Sequence, residues 1–223
     1  STAPLSERLR RINPDTHLLP NRLSEPLWRG DLPPRAADDR ITALYMGTRT
    51  HRADFDMIAP ALERIGTRHG DFRLAVIGVH DAPLPDWAER IEVPDHAKSY
   101  ASFVPWLKSL SHRFDFALAP LEDTEFNRHK SALKVLDMAA LGLPVLASDM
   151  PVYRMLHGDV AEMMRVGNTV EDWEIALEAA IAQARSGAVD RSSIRRKALG
   201  RYGLARTLRE FDALIRDVVG SLS

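Results

Sequence analysis

Lys130, Lys134 and Asp137 stand at i, i+4 and i+7, so on one α-helix they form a single polar stripe. Phe126, Asn127, Arg128 and His129 precede them as a polar, basic loop. Two ammonium groups near a helix N-terminus, behind Arg128 and His129, make a concentrated anion site. The helix dipole and the free N–H groups of the first turn add to it. The chemistry that suits such a site is docking of a nucleotide's diphosphate group; the plain alternative is a solvated face on a surface helix. Asp137 lies beside the apolar row of the same helix, where a carboxylate is costly unless paired. A ribose diol is one suitable partner, and Lys130 or Lys134 is the competing one.

The elements that must position these groups are readable around them. Residues 130–141 hold no Pro or Gly, and Leu133, Leu136 and Ala140 recur at helical spacing, which predicts a helix with that face inward. Gly142 falls where a helix C-terminus needs positive φ, and Pro144 forbids continuation. Pro144, Val145, Leu146 and Ala147 then read as a buried parallel strand. The pattern starts at Ile41. Strands are expected over 42–46, 72–78, 90–93, 115–120 and 163–166, with helices over 54–69, 99–113, from about 151, and over 173–185, 192–199 and 204–219. Gly70 is expected to close the helix over 54–69, and Pro60 to bend it without breaking it. Repeated strand–helix–strand units mean an α/β fold with a doubly wound, Rossmann-like parallel sheet covered on both faces. In such sheets ligands bind beyond the strand C-termini at the switch point. Gly47–Thr48–Arg49 and the loop 120–130 both follow strand ends, and a reversal of strand order between them would turn both into one crevice.

Residues 1–40 read differently. Leu5, Leu9 and Ile12 suggest a short helix, His17–Leu18–Leu19 a brief strand, and the rest an irregular, Pro-rich linker. The expected organisation is therefore 1–40 as the tail of a preceding domain plus linker, and 41–223 as a Rossmann-like nucleotide-binding domain.

Composition narrows the function. Lysine and arginine, 30 together, nearly balance aspartate and glutamate at 31, so no bulk field for nucleic acid or a membrane surface exists and any basic site is local. Cysteine is absent, which removes disulfides, thiolate metal sites and cysteine nucleophiles and fits a reducing compartment. No apolar run approaches the roughly 18 residues of a membrane span, so no integral membrane segment is expected. No G-x-G-x-x-G follows the first strand, no P-loop and no G-x-S-x-G elbow occur, and the histidines show no metal-site spacing. Gly47 admits close approach to a ligand or simply makes a turn. Thr48 and Thr50 offer hydroxyls, with capping of the next helix the competing role for Thr50. Arg49 and His51 are candidate phosphate contacts.

Tyr45–Met46–Gly47–Thr48, the helix start Thr50–His51 to Asp54–Phe55, and FNRHKSALKVLDMAALGLPVLAS together resemble the C-terminal, donor-binding half of a GT-B fold glycosyltransferase of family 4, the group 1 glycosyl transferases. The resemblance covers about 41 to 223, and HLLPNRLSEPLW is similar to the last strand and hinge of the preceding acceptor domain. It implies a retaining, metal-independent transferase with no cofactor, whose substrate is a nucleotide-diphosphate sugar. It also implies a setting in bacterial cell-surface polysaccharide biosynthesis, in the cytoplasm or at the inner face of the membrane. The implied donor-binding residues are Gly47, Thr48, Arg49, Arg128, His129, Lys130, Ser131, Lys134 and Asp137; no catalytic residue is assigned. The family's Glu-x7-Glu maps to His129 and Asp137, and its arginine after the first-strand glycine maps to Thr48. The implied partner is an N-terminal acceptor domain, without which the half is expected to catalyse little. These departures leave a second function open, a non-catalytic nucleotide- or partner-binding module. A flavodoxin-like signalling or sugar-phosphate domain is a third, against which the lack of an acidic strand-end cluster counts.

Overall fold

Ala43 and Tyr45 face one side of the first strand and Leu44 and Met46 the other, and all four are buried. A strand apolar on both faces needs cover on both, and the rest of the architecture supplies it. The computed structural model describes residues 2–35, 38–78, 83–156 and 163–220; the side chains of Arg49, Arg206 and 217–220 lie outside that description. The strands are β1 (Ile41–Gly47), β2 (Phe72–Gly78), β3 (Ala88–Ile91), β4 (Phe116–Ala119), β5 (Val145–Ser148) and β6 (Met163–Val166). They form one six-stranded parallel sheet in the order β3-β2-β1-β4-β5-β6. The order reverses between β1 and β4, and this is the switch point the two strand-end loops require.

The helices are α1 (Ala3–Arg10), α2 (Glu25–Trp28), α3 (Arg52–Arg68), α4 (Tyr100–Ser109), α5 (Glu125–Arg128), α6 (Leu133–Ala140), α7 (Pro151–Arg154), α8 (Val170–Ser186), α9 (Arg191–Tyr202) and α10 (Leu204–Gly220). α3 and α8 cover one face through Phe55, Ile58, Leu62, Ile65, Trp173 and Leu177. α2, α4, α6 and α9 cover the other through Trp28, Leu107, Val135, Leu136 and Ile194. Pro60 sits inside α3 without ending it.

Several expectations change. The helix expected from 130 begins at Leu133, and the loop before it contains α5. Thr124 caps α5 by accepting from the Asn127 N–H at 3.2 Å, and such a local cap outweighs continuation into one long helix. Lys130 therefore lies in the link between α5 and α6, off the helical stripe. Gly142 behaves as expected, with φ of 73°. The Gly142 N–H donates to the Ala139 carbonyl and the Leu143 N–H to the Met138 carbonyl, the paired bonds of a Schellman ending. Gly70 does not close α3, whose cap is His69 in an extended conformation. The helix over 99–113 is α4 followed by a 3₁₀ turn over Ser111–Arg113. His17–Leu18–Leu19 forms no strand.

The stretch read as irregular linker is docked. Leu23 and Trp28 are fully buried. The Leu23 N–H donates to the Tyr202 carbonyl and the Leu204 N–H to the Leu23 carbonyl, both at 2.8 Å. Glu25 accepts from the Leu204 and Ala205 N–H groups at 2.8 and 2.9 Å and so caps α10. Isolated apolar residues between prolines carry no periodicity, so their burial leaves no trace in the pattern.

Candidate functional site

Beyond the C-termini of β1 and β2, a cleft of about 580 Å³ is lined by Gly47, Thr48, His51, Gly78, Tyr100, Lys134 and Asp137, with Met46, Ile77, Val93 and Phe103 as apolar wall. Arg90, Glu92 and Lys98 stand in the same lining. Its floor is bare backbone. Gly47 and Gly78 are neighbours in the β1–β2 register, Gly78 has φ of 77°, and a Cβ there would fall 2.0 Å from the Gly47 carbonyl oxygen. Only glycine fits.

Asp54, in the first turn of α3 and 2% exposed, ties the two strand-end loops together. Its Oδ2 accepts from His51 Nδ1 at 2.6 Å, and its Oδ1 accepts from the Glu122 N–H at 2.8 Å. Burial raises the Asp54 carboxyl, but the His51 and Glu122 bonds and the nearby charges of His51 and Lys130 outweigh it and hold the group below its ordinary value. The loop after β4 is pinned a second time by the Leu121 N–H donating to Ser148 Oγ at 2.8 Å. The loops after β1 and β4 are thus tied together across the switch point, and of the two only the first lines the cleft.

Lys134 and Asp137 are both on α6 and both face this cleft. Lys134 Nζ is buried with no hydrogen-bond partner and lies 5.7 Å from the centroid of the Tyr45 ring, a cation–π contact. Burial pushes its pKa down to about 8, with Asp54 opposing and Lys130 adding. Asp137 is 7% exposed; burial pushes it up to about 7, against a lowering by its one bond from Tyr100. The Tyr100 hydroxyl donates to Asp137 Oδ1 at 2.8 Å, so a tyrosine, and neither of the two lysines weighed against a ribose diol, bonds Asp137. The N-terminus of α6 has no side-chain cap, which leaves its first-turn N–H groups for an anion.

The remaining sequence candidates divide. Thr48 lines the cleft and its hydroxyl meets that of Thr50 at 2.8 Å, so Thr50 does not cap α3, whose N-cap is His51. The Arg49 side chain is outside the described residues. Arg128 is held by Asp123 at 2.6 and 2.9 Å, and His129 Nδ1 bonds the Glu125 carbonyl oxygen at 2.7 Å; neither lines the cleft. Lys130 Nζ sits 5.3 Å from the Phe126 ring centroid, close enough to Asp54 to lower its pKa. Ser131 lines a separate, mainly apolar pocket with Leu18, Leu133 and Met155. Tyr100 escaped the sequence reading, and Tyr45 and Asp54 entered it only within expected elements and the resemblance, with no site role; the His51-x-x-Asp54 spacing at a helix start was the one signal for Asp54. Among the described residues, no group of three or more His, Asp or Glu is placed to hold a metal ion, and no helix is long and apolar enough to cross a membrane.

Comparison with known proteins gives a fold and a family. Residues 40–183 match the family model for glycosyl transferases group 1. No curated protein matches the sequence. A glycosyltransferase from Rickettsia africae ESF-5 superposes with a TM-score of 0.71 at 11% identity, over 96% of this chain and 61% of its own. Sucrose-phosphate synthase from Thermosynechococcus elongatus gives 0.68 at 14%, over 99% and 58%. The S. aureus MnaA–UDP co-structure gives 0.53 at 16%, over 82% and 46%. The chain thus spans less than two thirds of the length of these structures.

Proposed function

The chain belongs to the group 1 glycosyl transferases, and on that premise we propose that its cleft holds a nucleotide-diphosphate sugar as the donor half of a two-domain GT-B enzyme. One observation carries the reading: Lys134 presents a buried ammonium without a hydrogen-bond partner in a cleft at the switch point, beside Asp137. A buried unpaired charge is costly, and a pyrophosphate supplies the acceptor it lacks. The uncapped first turn of α6 faces the same anion. Asp137 takes the ribose diol, and the apolar wall of Met46, Ile77, Val93 and Phe103 takes the base. The sugar then extends toward Gly47, Thr48 and His51, and Arg49 belongs to the same loop.

Chemically, charge builds on the diphosphate as the glycosidic bond breaks, and fixed positive groups stabilise it there. Lys134, with Lys130 behind it and the α6 amides, serves that role in this reading, which makes the transfer metal-independent. Retention of configuration follows the family. The acceptor comes with a further domain, for which residues 1–40 are the connecting tail and this chain the C-terminal half. The exposed Leu208, Phe211 and Ile215 on α10 suit a contact with that domain. A cytoplasmic setting, or one at the inner face of the membrane, suits that donor.

Calorimetric titration of UDP, GDP and dTDP and their sugars tests the reading. Lys134→Met is expected to weaken the preferred ligand by about tenfold or more, as loss of a charge-assisted contact should. Equal binding by wild type and variant rejects the phosphate role. A non-catalytic binding module is the second reading, favoured by Arg128 and His129 being engaged away from the cleft. Absence of transfer by the two-domain protein with every donor that binds would establish it.

A further inference from the structure

A chain of hydrogen bonds runs from the N-terminal arm into the cleft. Nε1 of the fully buried Trp28, on α2, donates to the Tyr100 hydroxyl at 3.5 Å. That hydroxyl donates in turn to Asp137 Oδ1 at 2.8 Å. A tyrosine hydroxyl has one proton to give and two lone pairs to receive with. With Trp28 supplying a donor from one side, the Tyr100 proton is directed to the carboxyl. Oδ1 is thereby occupied, and Oδ2 has no partner among the described residues. Tyr100 and Asp137 both line the cleft, so this free oxygen belongs to a side chain that a ligand meets.

We propose that Tyr100 is a ligand-positioning residue: steered by Trp28, it holds the Asp137 carboxyl with Oδ2 committed to a ligand diol, the ribose of a nucleoside diphosphate. The inference rests on the nucleotide reading above and deepens it. Aspartate is a short side chain, and one anchored oxygen fixes where the other goes. Without the anchor the carboxyl keeps its burial and loses its orientation. Tyr100 also acts on the charge. Its donated bond favours the ionised form and works against burial, so it keeps Asp137 able to accept from two hydroxyls. The charged and titratable groups sharing the cleft are Lys134 on the same helix, His51 after β1, Arg90 and Glu92 at the end of β3, and Lys98 before α4. Arg195 of α9, packed behind α6, reaches the Ala140 carbonyl and not the carboxyl. None of these bonds Asp137.

Tyr100→Phe is the test, since the residue is 40% exposed and phenylalanine keeps its ring. UDP and GDP are titrated against their 2′-deoxy forms and against inorganic pyrophosphate, from pH 6 to 9. Wild type is expected to prefer the ribo form by about tenfold, the size of one hydrogen bond to a charged group. That preference should grow as pH rises through the Asp137 titration. Tyr100→Phe should cut the preference to about twofold at pH 7 and move its midpoint up by about one pH unit, with pyrophosphate affinity unchanged. In Asp137→Asn the preference should be lost, and adding Tyr100→Phe should cost nothing more. An unchanged ribo preference and midpoint in Tyr100→Phe overturns the positioning role while nucleotide binding stands. Failure of wild type to bind UDP or GDP overturns the nucleotide reading, and the positioning role with it.

Discussion

Asp137 is a carboxyl that the fold keeps at a disadvantage when charged. Its folded pKa is raised above the unfolded value, so the folded state binds its proton more tightly. The stabilisation is complete below about pH 4 and disappears as pH rises through about 7. Asp137→Asn is therefore expected to make the protein more stable than wild type at pH 8, by about 4 kcal/mol at most. At pH 4.5 the difference should be smaller by about 3 kcal/mol. Urea denaturation at the two pH values checks this; a variant less stable than wild type at pH 8 would show that the ionised carboxyl is well solvated. At this scale the sequence was informative about types and poor about partners. Lys134 and Asp137 are visible because helical spacing puts them on one face. Tyr100 is 37 residues away from Asp137 and reads only as a helix start. A hydrogen bond between two helices has no local signature.

The elements around the site are set by their endings. α6 stops at a glycine because Gly142 has positive φ and an added Cβ would lie 2.6 Å from the Arg191 carbonyl oxygen. Gly142→Ala is expected to cost about 2 kcal/mol, from left-handed strain and the displaced α9. The midpoint of chemical denaturation reports it, and a shift under a few tenths of a kcal/mol would mean that α9 yields freely. This ending was readable, since Gly followed by Pro two residues on is a stop signal. The beginning was not. The sequence between Thr124 and Leu133 supports either one continuous helix or two pieces. The Thr124 cap and the Asn127 side chain, which donates to the Glu122 carbonyl at 2.8 Å, select two pieces. That selection separates Lys130 from Lys134 and leaves one of that pair, not both, in the cleft wall.

For the molecule as a whole, the doubly wound parallel sheet followed from alternation alone, because apolar strands separated by helices admit few arrangements. The reversal between β1 and β4 was only a condition, and of the two strand-end loops only the one after β1 lines the cleft. The arm did not follow from alternation, although it completes one face of the sheet. Trp28 is fully buried in the core shared by α4, α6 and α9, and Arg195 donates to the Trp28, Gly30 and Ala140 carbonyls. Trp28→Ala is expected to destabilise the entire domain by about 3–5 kcal/mol. Denaturation should remain a single transition, followed by both fluorescence and circular dichroism. A separate early transition confined to residues before Arg40 would show the arm to be an independent unit.

The touching glycines beneath the cleft limit how this pocket can diversify. With Gly78 pressed against the Gly47 carbonyl, the base of the site offers no side chain to vary and no room to add one. New ligand preferences in descendants of this chain must therefore arise from the walls, at Glu92, Lys98 or Phe103, while the ground beneath them stays invariant.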